Sequence, residues 1–350
     1  MKNTQGGEKF EKKVSFLAAL EALSVHFPER SGEIVRSRYG IGKAKMLTLE
    51  EIGNKYGVTR ERIRQIIREI CRKVSQIKDE EALAPVREAI RYEVSAHDGI
   101  MDEESLIAAL GANDSKEAGA ARFFLECLSD VKGVEIRGKL KYSYALNSFE
   151  LKDWERVHAA ARAVLEKEER PLEEAELVSK MVASLGKGVA TEKSIRNFLG
   201  AAEDIKSNTF GKWGLSRWKE VTPKGTRERA YLILKEAKEP LHFREIAKRI
   251  DSFKLGKRAT HPQTVHNELI KDDNFVLVGR GIYALSEWGY KTGTVKDVIE
   301  DILKKNPKGL SRDQVIEEVL KVRQVKKSTV VINLNNFFRK NAAGHYTLGK

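Results

Sequence analysis

Arg60, Glu61, Arg62, Arg64, Gln65 and Arg68 fall within nine residues of one another. Arginine and glutamine near a helix N-terminus suit paired hydrogen bonds to guanine or adenine edges, and neighbouring arginines suit phosphates. The spacing around them predicts such a helix. Ile63, Ile66, Ile67 and Ile70 form one apolar stripe, and Thr59 stands where a cap belongs. Just before, Leu49, Ile52 and Tyr56 line one side of a shorter helix, and Gly57 supplies a tight turn, which together make a helix-turn-helix. The plainer alternative is a solvated, salt-bridged helix in some other bundle. Cap, turn, stripe and basic face coincide in one motif, which favours the first reading.

The stretch Leu47 to Val74 resembles region 4 of the primary-class bacterial sigma factors, the part that reads the upstream promoter element. Thr59-Arg-Glu-Arg-Ile-Arg-Gln-Ile66 carries the likeness most strongly. Upstream, Ala19 to Gly42, with Phe27-Pro-Glu-Arg30 and Arg36-Ser-Arg-Tyr-Gly-Ile41, is similar to the helix pair that rests on the flap of the polymerase beta subunit. The resemblance implies that Arg60, Glu61, Arg64 and Gln65 face base edges of double-stranded DNA. Thr59, Arg62 and Arg68 are then phosphate contacts, and RNA polymerase is a partner through residues 19–42. It covers about the first quarter of the chain.

A chain of 350 residues is too long for this one module. Its formal net charge of +13 points to a polyanionic partner. Residues 1–75 hold 16 basic against 9 acidic side chains and residues 291–350 hold 13 against 6, whereas residues 76–150 hold 9 against 15, so the ends are basic and the stretch after the first module is acidic. No apolar run has membrane-spanning length and the opening residues lack the apolar core of a signal peptide, so a cytoplasmic, nucleoid-associated protein with no membrane contact is expected. Cys71 and Cys127 fall among apolar neighbours on predicted helices and read as small buried hydrophobes rather than ligands or disulfide halves.

Beyond residue 85 a period appears. Tyr144-Ala-Leu146, Trp213-Gly-Leu215, Tyr283-Ala-Leu285 and Tyr346-Thr-Leu348 recur at intervals of 69, 70 and 63 residues. Each is preceded by three apolar-periodic segments and a short extended pair, the layout of a winged helix. The expected fold class is all-α with small β wings. The domains are a flexible basic tail over 1–15, a helix-turn-helix domain over 16–75, and winged helices over 85–148, 152–220, 224–290 and 294–350. In the third, Thr260 is expected to open a helix with Val265, Leu269 and Ile270 inward, and Gly279-Arg280-Gly281 to turn the hairpin. Phe337 and Phe338 read as core of the fourth. The third unit also resembles the HARE-HTH family, winged-helix modules of the polymerase delta subunit, restriction systems and some chromatin proteins. Leu241-His-Phe-Arg-Glu-Ile246 and Phe275 to Trp288 carry that likeness, which implies association with nucleic acid or polymerase.

Third helices of winged helices usually enter a groove, which makes Thr260, His261, Gln263, Thr264, His266 and Asn267 DNA candidates, with Arg280 at the wing tip. Asp272 and Asp273 beside that helix favour protein docking instead. In the fourth unit Lys326, Lys327, Arg339 and Lys340 are candidate phosphate contacts, with Ser328, Thr329, Asn333 and Asn336 near them. The acidic first winged helix suits protein contact or spacing better than a duplex.

No enzyme is expected, and no cofactor or metal. The seven histidines and two cysteines form no ligand pattern, with His261 and His266 five apart. Gly186-Lys-Gly188 lacks the remainder of a nucleotide loop. Asp102-Glu-Glu104 marks a helix start, where acids favour the dipole. The leading function is a sequence-specific DNA-binding transcription factor or sigma-like polymerase accessory protein. The 46 residues before Leu47 leave no room for a promoter-melting helix or core-clamp-binding region, so a complete initiation factor is not expected. The alternatives are a protein-interaction scaffold at polymerase and the recognition component of a restriction or defence system.

Overall fold

Thr48 and Thr59 start the two helices on which the first domain turns. The computed structural model describes residues 14–42, 45–77, 81–186, 190–290, 293–323 and 325–348. In it, α1 (Phe16–Leu23) and α2 (Glu29–Tyr39) precede α3 (Leu49–Tyr56) and α4 (Arg60–Gln76). The Thr48 hydroxyl accepts from the Glu51 amide at 3.2 Å while the Glu51 carboxylate accepts from the Thr48 amide at 2.7 Å, a reciprocal cap. Gly57 ends α3 at φ +66°, a left-handed conformation that lets the chain reverse into α4. Ile34, Ile52, Ile63 and Ile67 fill the small core between α2, α3 and α4.

The next module runs α5 (Leu83–Ala96), β1 (Ile100–Asp102), α6 (Glu103–Ala109), α7 (Ser115–Cys127), β2 (Val131–Ile136) and β3 (Leu140–Leu146). After it come α8 (Leu151–Glu168), β4 (Leu172–Glu173), α9 (Glu174–Leu185), α10 (Glu192–Gly200), β5 (Ile205–Ser207) and β6 (Lys212–Leu215). Then follow α11 (Thr226–Ala237), β7 (Leu241–His242), α12 (Phe243–Ser252), α13 (Pro262–Ile270), β8 (Phe275–Gly279) and β9 (Ile282–Leu285). The chain closes with α14 (Val295–Lys305), α15 (Arg312–Val322), α16 (Lys327–Phe337), β10 (Arg339–Lys340) and β11 (Tyr346–Thr347). The first three modules carry three-stranded sheets ordered β1-β3-β2, β4-β6-β5 and β7-β9-β8, and the last a β10-β11 pair. All-α with small β wings is therefore the fold class. The recurring aromatic lies on the last strand, and Tyr144, Tyr283 and Tyr346 are buried there against the helices of their modules.

The chain divides into two compact bodies, Met1–Lys206 with Trp213–Ser216, and Ser207–Lys212 with Arg217–Lys350. In the first, α7 packs against α1, α2 and α4, and one apolar core runs from Phe16, Leu20, Leu23 and Tyr39 to Phe123 and Phe124. The approach is close because position 119 is glycine. A Cβ there would stand 2.4 Å from the Tyr39 carbonyl oxygen and 2.8 Å from Ile41 Cγ1. Polar contacts seal the edges: the Glu117 carboxylate accepts from the Phe16 amide at 2.8 Å and the Ser15 hydroxyl at 2.6 Å, and the Tyr39 hydroxyl donates to Glu126 at 2.6 Å. Burial, then the Glu126 charge, holds the Tyr39 hydroxyl well above its usual pKa, keeping it a donor.

The following module hangs on this one through its own polar groups. Lys141 donates its amide to the Ala201 carbonyl at 3.0 Å and Gly138 donates to the Glu203 carboxylate at 2.8 Å, which fixes the β2–β3 wing. Asp98 accepts from the Ser194 hydroxyl at 3.0 Å and from the Asn197 amide nitrogen, both on α10.

Several expectations need correction. Cys71 and Cys127 are joined in a disulfide across 56 residues, because α4 and α7 cross where the two side chains lie. Ile270 is 61% exposed at the end of α13, since one position past the buried Leu269 turns about 100° away from the core. Phe337 is 55% exposed while Phe338 is buried, again a rotation by one residue at a helix end. The segment expected as a helix from Met101 begins with β1, paired to β3 with Met101 opposite Tyr144. Most of the tail expected over 1–15, and Lys187 and Gly188, lie outside the described residues.

Candidate nucleic-acid interface

Burial of Ile63, Ile67, Ile70 and Val74 turns the opposite side of α4 outward, so Arg60, Glu61, Arg62, Gln65 and Arg68 are exposed and Arg64 is partly so. The Thr59 hydroxyl oxygen accepts from the Arg62 amide at 3.2 Å, which leaves its proton to donate. Arg64 grips Glu61 with two bonds, Nε to Oε2 at 2.7 Å and Nη2 to Oε1 at 2.5 Å. This grip is the main reason the Glu61 carboxyl sits below its usual pKa and the Arg64 guanidinium above its own. Arg62 donates to the Gln65 side-chain oxygen at 3.3 Å. The two pairs steer long side chains along one face, and Arg64 Nη1 keeps hydrogens to offer a base edge.

The pose of α4 is set from behind. Arg30 donates to the Tyr56 carbonyl at 3.0 Å and lies 5.5 Å from the Tyr56 ring centre, and the Tyr56 hydroxyl donates to Glu33 at 2.7 Å. Burial and the Glu33 carboxylate push that phenol up to about 12. α2 thereby braces the α3–α4 turn.

In the third winged helix His261 rather than Thr260 caps α13, its Nδ1 accepting from the Gln263 amide at 3.2 Å. Thr260 donates its amide to the Asp251 carboxylate at 2.9 Å. Gln263, Thr264 and Asn267 are exposed, the first donating to the third at 3.1 Å, and Arg280 is exposed at the wing turn. His266 is drawn inward instead, 2.9 Å from the Tyr283 hydroxyl and 4.7 Å between ring centres from Phe243. Sequence reasoning missed Lys254, Lys257 and Arg258, exposed in the loop that feeds α13. The run Lys254-Leu-Gly-Lys-Arg258 was the signal for them.

In the fourth, Lys326 and Lys327 are exposed at the start of α16, and Arg339 and Lys340 on β10 just past its end. Eleven helical residues separate the two pairs by about 16 Å. Lys296 stands 4.9 Å from the Phe337 ring centre and Lys340 5.1 Å from that of Tyr346. Asn333 donates back to the Thr329 carbonyl at 2.8 Å. α7 and α10, by contrast, are engaged within the first body as described above.

Among the described residues, no cluster of three or more His, Cys, Asp or Glu side chains could hold a metal ion, and no helix is long and apolar enough to cross a membrane.

Residues 25–76 match the family model for sigma-70 region 4, and residues 226–288 match that for HARE-HTH, described as an ASXL and restriction endonuclease HTH domain. The chain is 46% identical over 55 residues to RNA polymerase sigma factor SigA1 of Synechococcus elongatus, which is 16% of this chain and 14% of that protein. It is 48% identical over 46 residues to RNA polymerase sigma factor SigA of a Bacillus species, 13% and 12% of the two chains. The chain thus spans about one seventh or less of the length of the curated relatives it matches. A sigma region 4 helix-turn-helix and a HARE-HTH winged helix, both of DNA-binding type, stand in one polypeptide.

Proposed function

We propose that this chain is a sequence-specific DNA-binding transcription factor or sigma-like accessory protein of RNA polymerase, with α4 reading promoter-type DNA in the major groove. The observation that carries this reading is the outward face of α4. A capped, braced helix presents Arg60, Glu61, Arg64 and Gln65 together, flanked by Thr59, Arg62 and Arg68. The first four contact bases and the flanking three contact phosphates. Lys326, Lys327, Arg339 and Lys340 add sequence-independent phosphate contacts, and α13 with Arg280 adds a further set through Thr260, His261, Gln263 and Asn267. Contact of residues 19–42 with the polymerase flap uses outward side chains such as Val25, Glu29, Arg30 and Arg36, because Ala19, Leu20, Leu23, Val35 and Tyr39 face the interior.

Arg64→Ala is the direct test. It is expected to weaken binding to a selected duplex by about 1–3 kcal/mol while leaving binding to a scrambled duplex unchanged. Binding of the wild-type chain should weaken steeply as salt rises from about 50 to 200 mM. If the wild-type chain does not distinguish the two duplexes and Arg64→Ala binds both equally, α4 reads no sequence.

A further inference from the structure

We propose that Cys71 and Cys127 form a thiol–disulfide exchange site, taking low-molecular-weight thiols and disulfides, whose state sets how firmly α4 is tied to the first winged helix. They are the chain's two cysteines. The fold brings them into a bond from helices in different modules, although 56 positions separate them. Cys71 lies on the helix that carries Arg60 to Arg68, and Cys127 is the last residue of α7. The bond therefore joins the exposed helix to its neighbour at one covalent point.

Access is asymmetric. Cys127 is 5% exposed, whereas Cys71 is only half-buried. Arg72 beside Cys71, and Arg68 one turn before it, are exposed cations that attract an anionic thiol such as glutathione. The chemistry closes with such a reactant. One thiolate attacks Sγ of Cys71, the sulfur–sulfur bond breaks, and Cys127 leaves as a thiolate that takes up a proton. A second thiolate attacks the mixed disulfide, Cys71 leaves, and the two small thiols end as one disulfide. Two electrons have passed to the protein, and oxidised glutathione reverses the sequence.

Opening the bond leaves the apolar contacts of α7 with α4 but removes the covalent tie, so the C-terminal turns of α4 open locally more often. The inference does not rest on what α4 contacts. The full-length chain is equilibrated in buffers of stepped reduced-to-oxidised glutathione ratio, free thiols are counted by alkylation and mass, and amide exchange is followed in bonded and reduced chains. The pair is expected to pass from bonded to two free thiols across that series. Exchange over residues 70–76 and 124–127 should become at least about tenfold faster on reduction, with residues 226–288 unchanged. A Cys71→Ser, Cys127→Ser double variant should exchange like the reduced chain in every buffer, and the reduced wild type carries the test if that variant does not fold. A bond that survives excess reduced glutathione, thiols that stay free under oxidised glutathione, or equal exchange in the two states would each overturn the proposal.

Discussion

α4 and α7 occupy the same station in their modules, the helix after the turn of a helix-turn-helix, yet they face opposite ways. α4 keeps one stripe of isoleucines inward and covers the remainder with arginine, glutamate and glutamine. α7 buries Gly119, Ala120, Ala121, Phe123, Phe124, Leu125 and Cys127, leaving little polar surface to offer a groove. Position in a winged helix therefore does not make a reading helix. Side-chain chemistry does: small residues let a backbone approach, and long charged ones hold a surface open to solvent and to phosphates.

The comparison breaks most readily at Phe123. Its ring meets Tyr39 edge-on at 5.6 Å and Phe124 at 5.3 Å, and it is fully buried. Phe123→Ala should destabilise the first body by about 3–5 kcal/mol in chemical denaturation. Arg60→Ala on α4 should change the same midpoint by no more than about 0.5 kcal/mol. Similar shifts for both would mean that α7 is not the packing element the structure makes it.

Gly119→Ala probes the same contact more gently. The added methyl carbon meets backbone at Tyr39, which cannot swing aside as a side-chain tip would. A loss of about 1–3 kcal/mol in the same denaturation is expected. A neutral result would show α2 and α7 free to separate.

These two sites also mark where sequence reasoning stops. The helix-turn-helix was legible because its determinants are local: Thr48, Gly57 and Thr59 act within three or four residues of themselves, and the isoleucine spacing gives the buried side of α4 directly. The wings were legible because an aromatic one residue before an alanine, glycine or threonine and then a leucine recurs on each closing strand. What Gly119 is for depends on Tyr39, 80 positions earlier, and no local pattern encodes that meeting. The disulfide was missed for the same reason. The acidity of residues 76–150 was visible, but not its use: Glu117 holds the start of α1 and Glu126 the Tyr39 hydroxyl. At the outer face of α4 the residue types were readable, whereas the Glu61–Arg64 and Arg62–Gln65 pairings required coordinates.

The smallest expected effect sharpens the other side of the comparison, the cap that sets α3 against α4. The Thr48 backbone, then Lys45 at 2.9 Å, lower the Glu51 carboxyl from 4.5 to about 2. A depressed carboxyl pKa adds stability above the unfolded value and loses it as pH falls through the folded one, so the window runs from about 4.5 down to about 2. Glu51 is exposed, so the change is a local fraying of α3 rather than unfolding of the body. The Thr48 amide proton shift should titrate with a midpoint near 2, and Glu51→Gln should abolish that step while the substituted amide oxygen still accepts the bond. The cap of α7 matters less to its helix: Asp114 accepts from the Lys116 and Glu117 amides at 2.8 and 2.9 Å, but α1, α2 and α4 already hold that helix from its flanks. A Thr48 midpoint near 4.5 would mean that Glu51 is not engaged and that the turn before α4 rests on Gly57 and the isoleucine core alone.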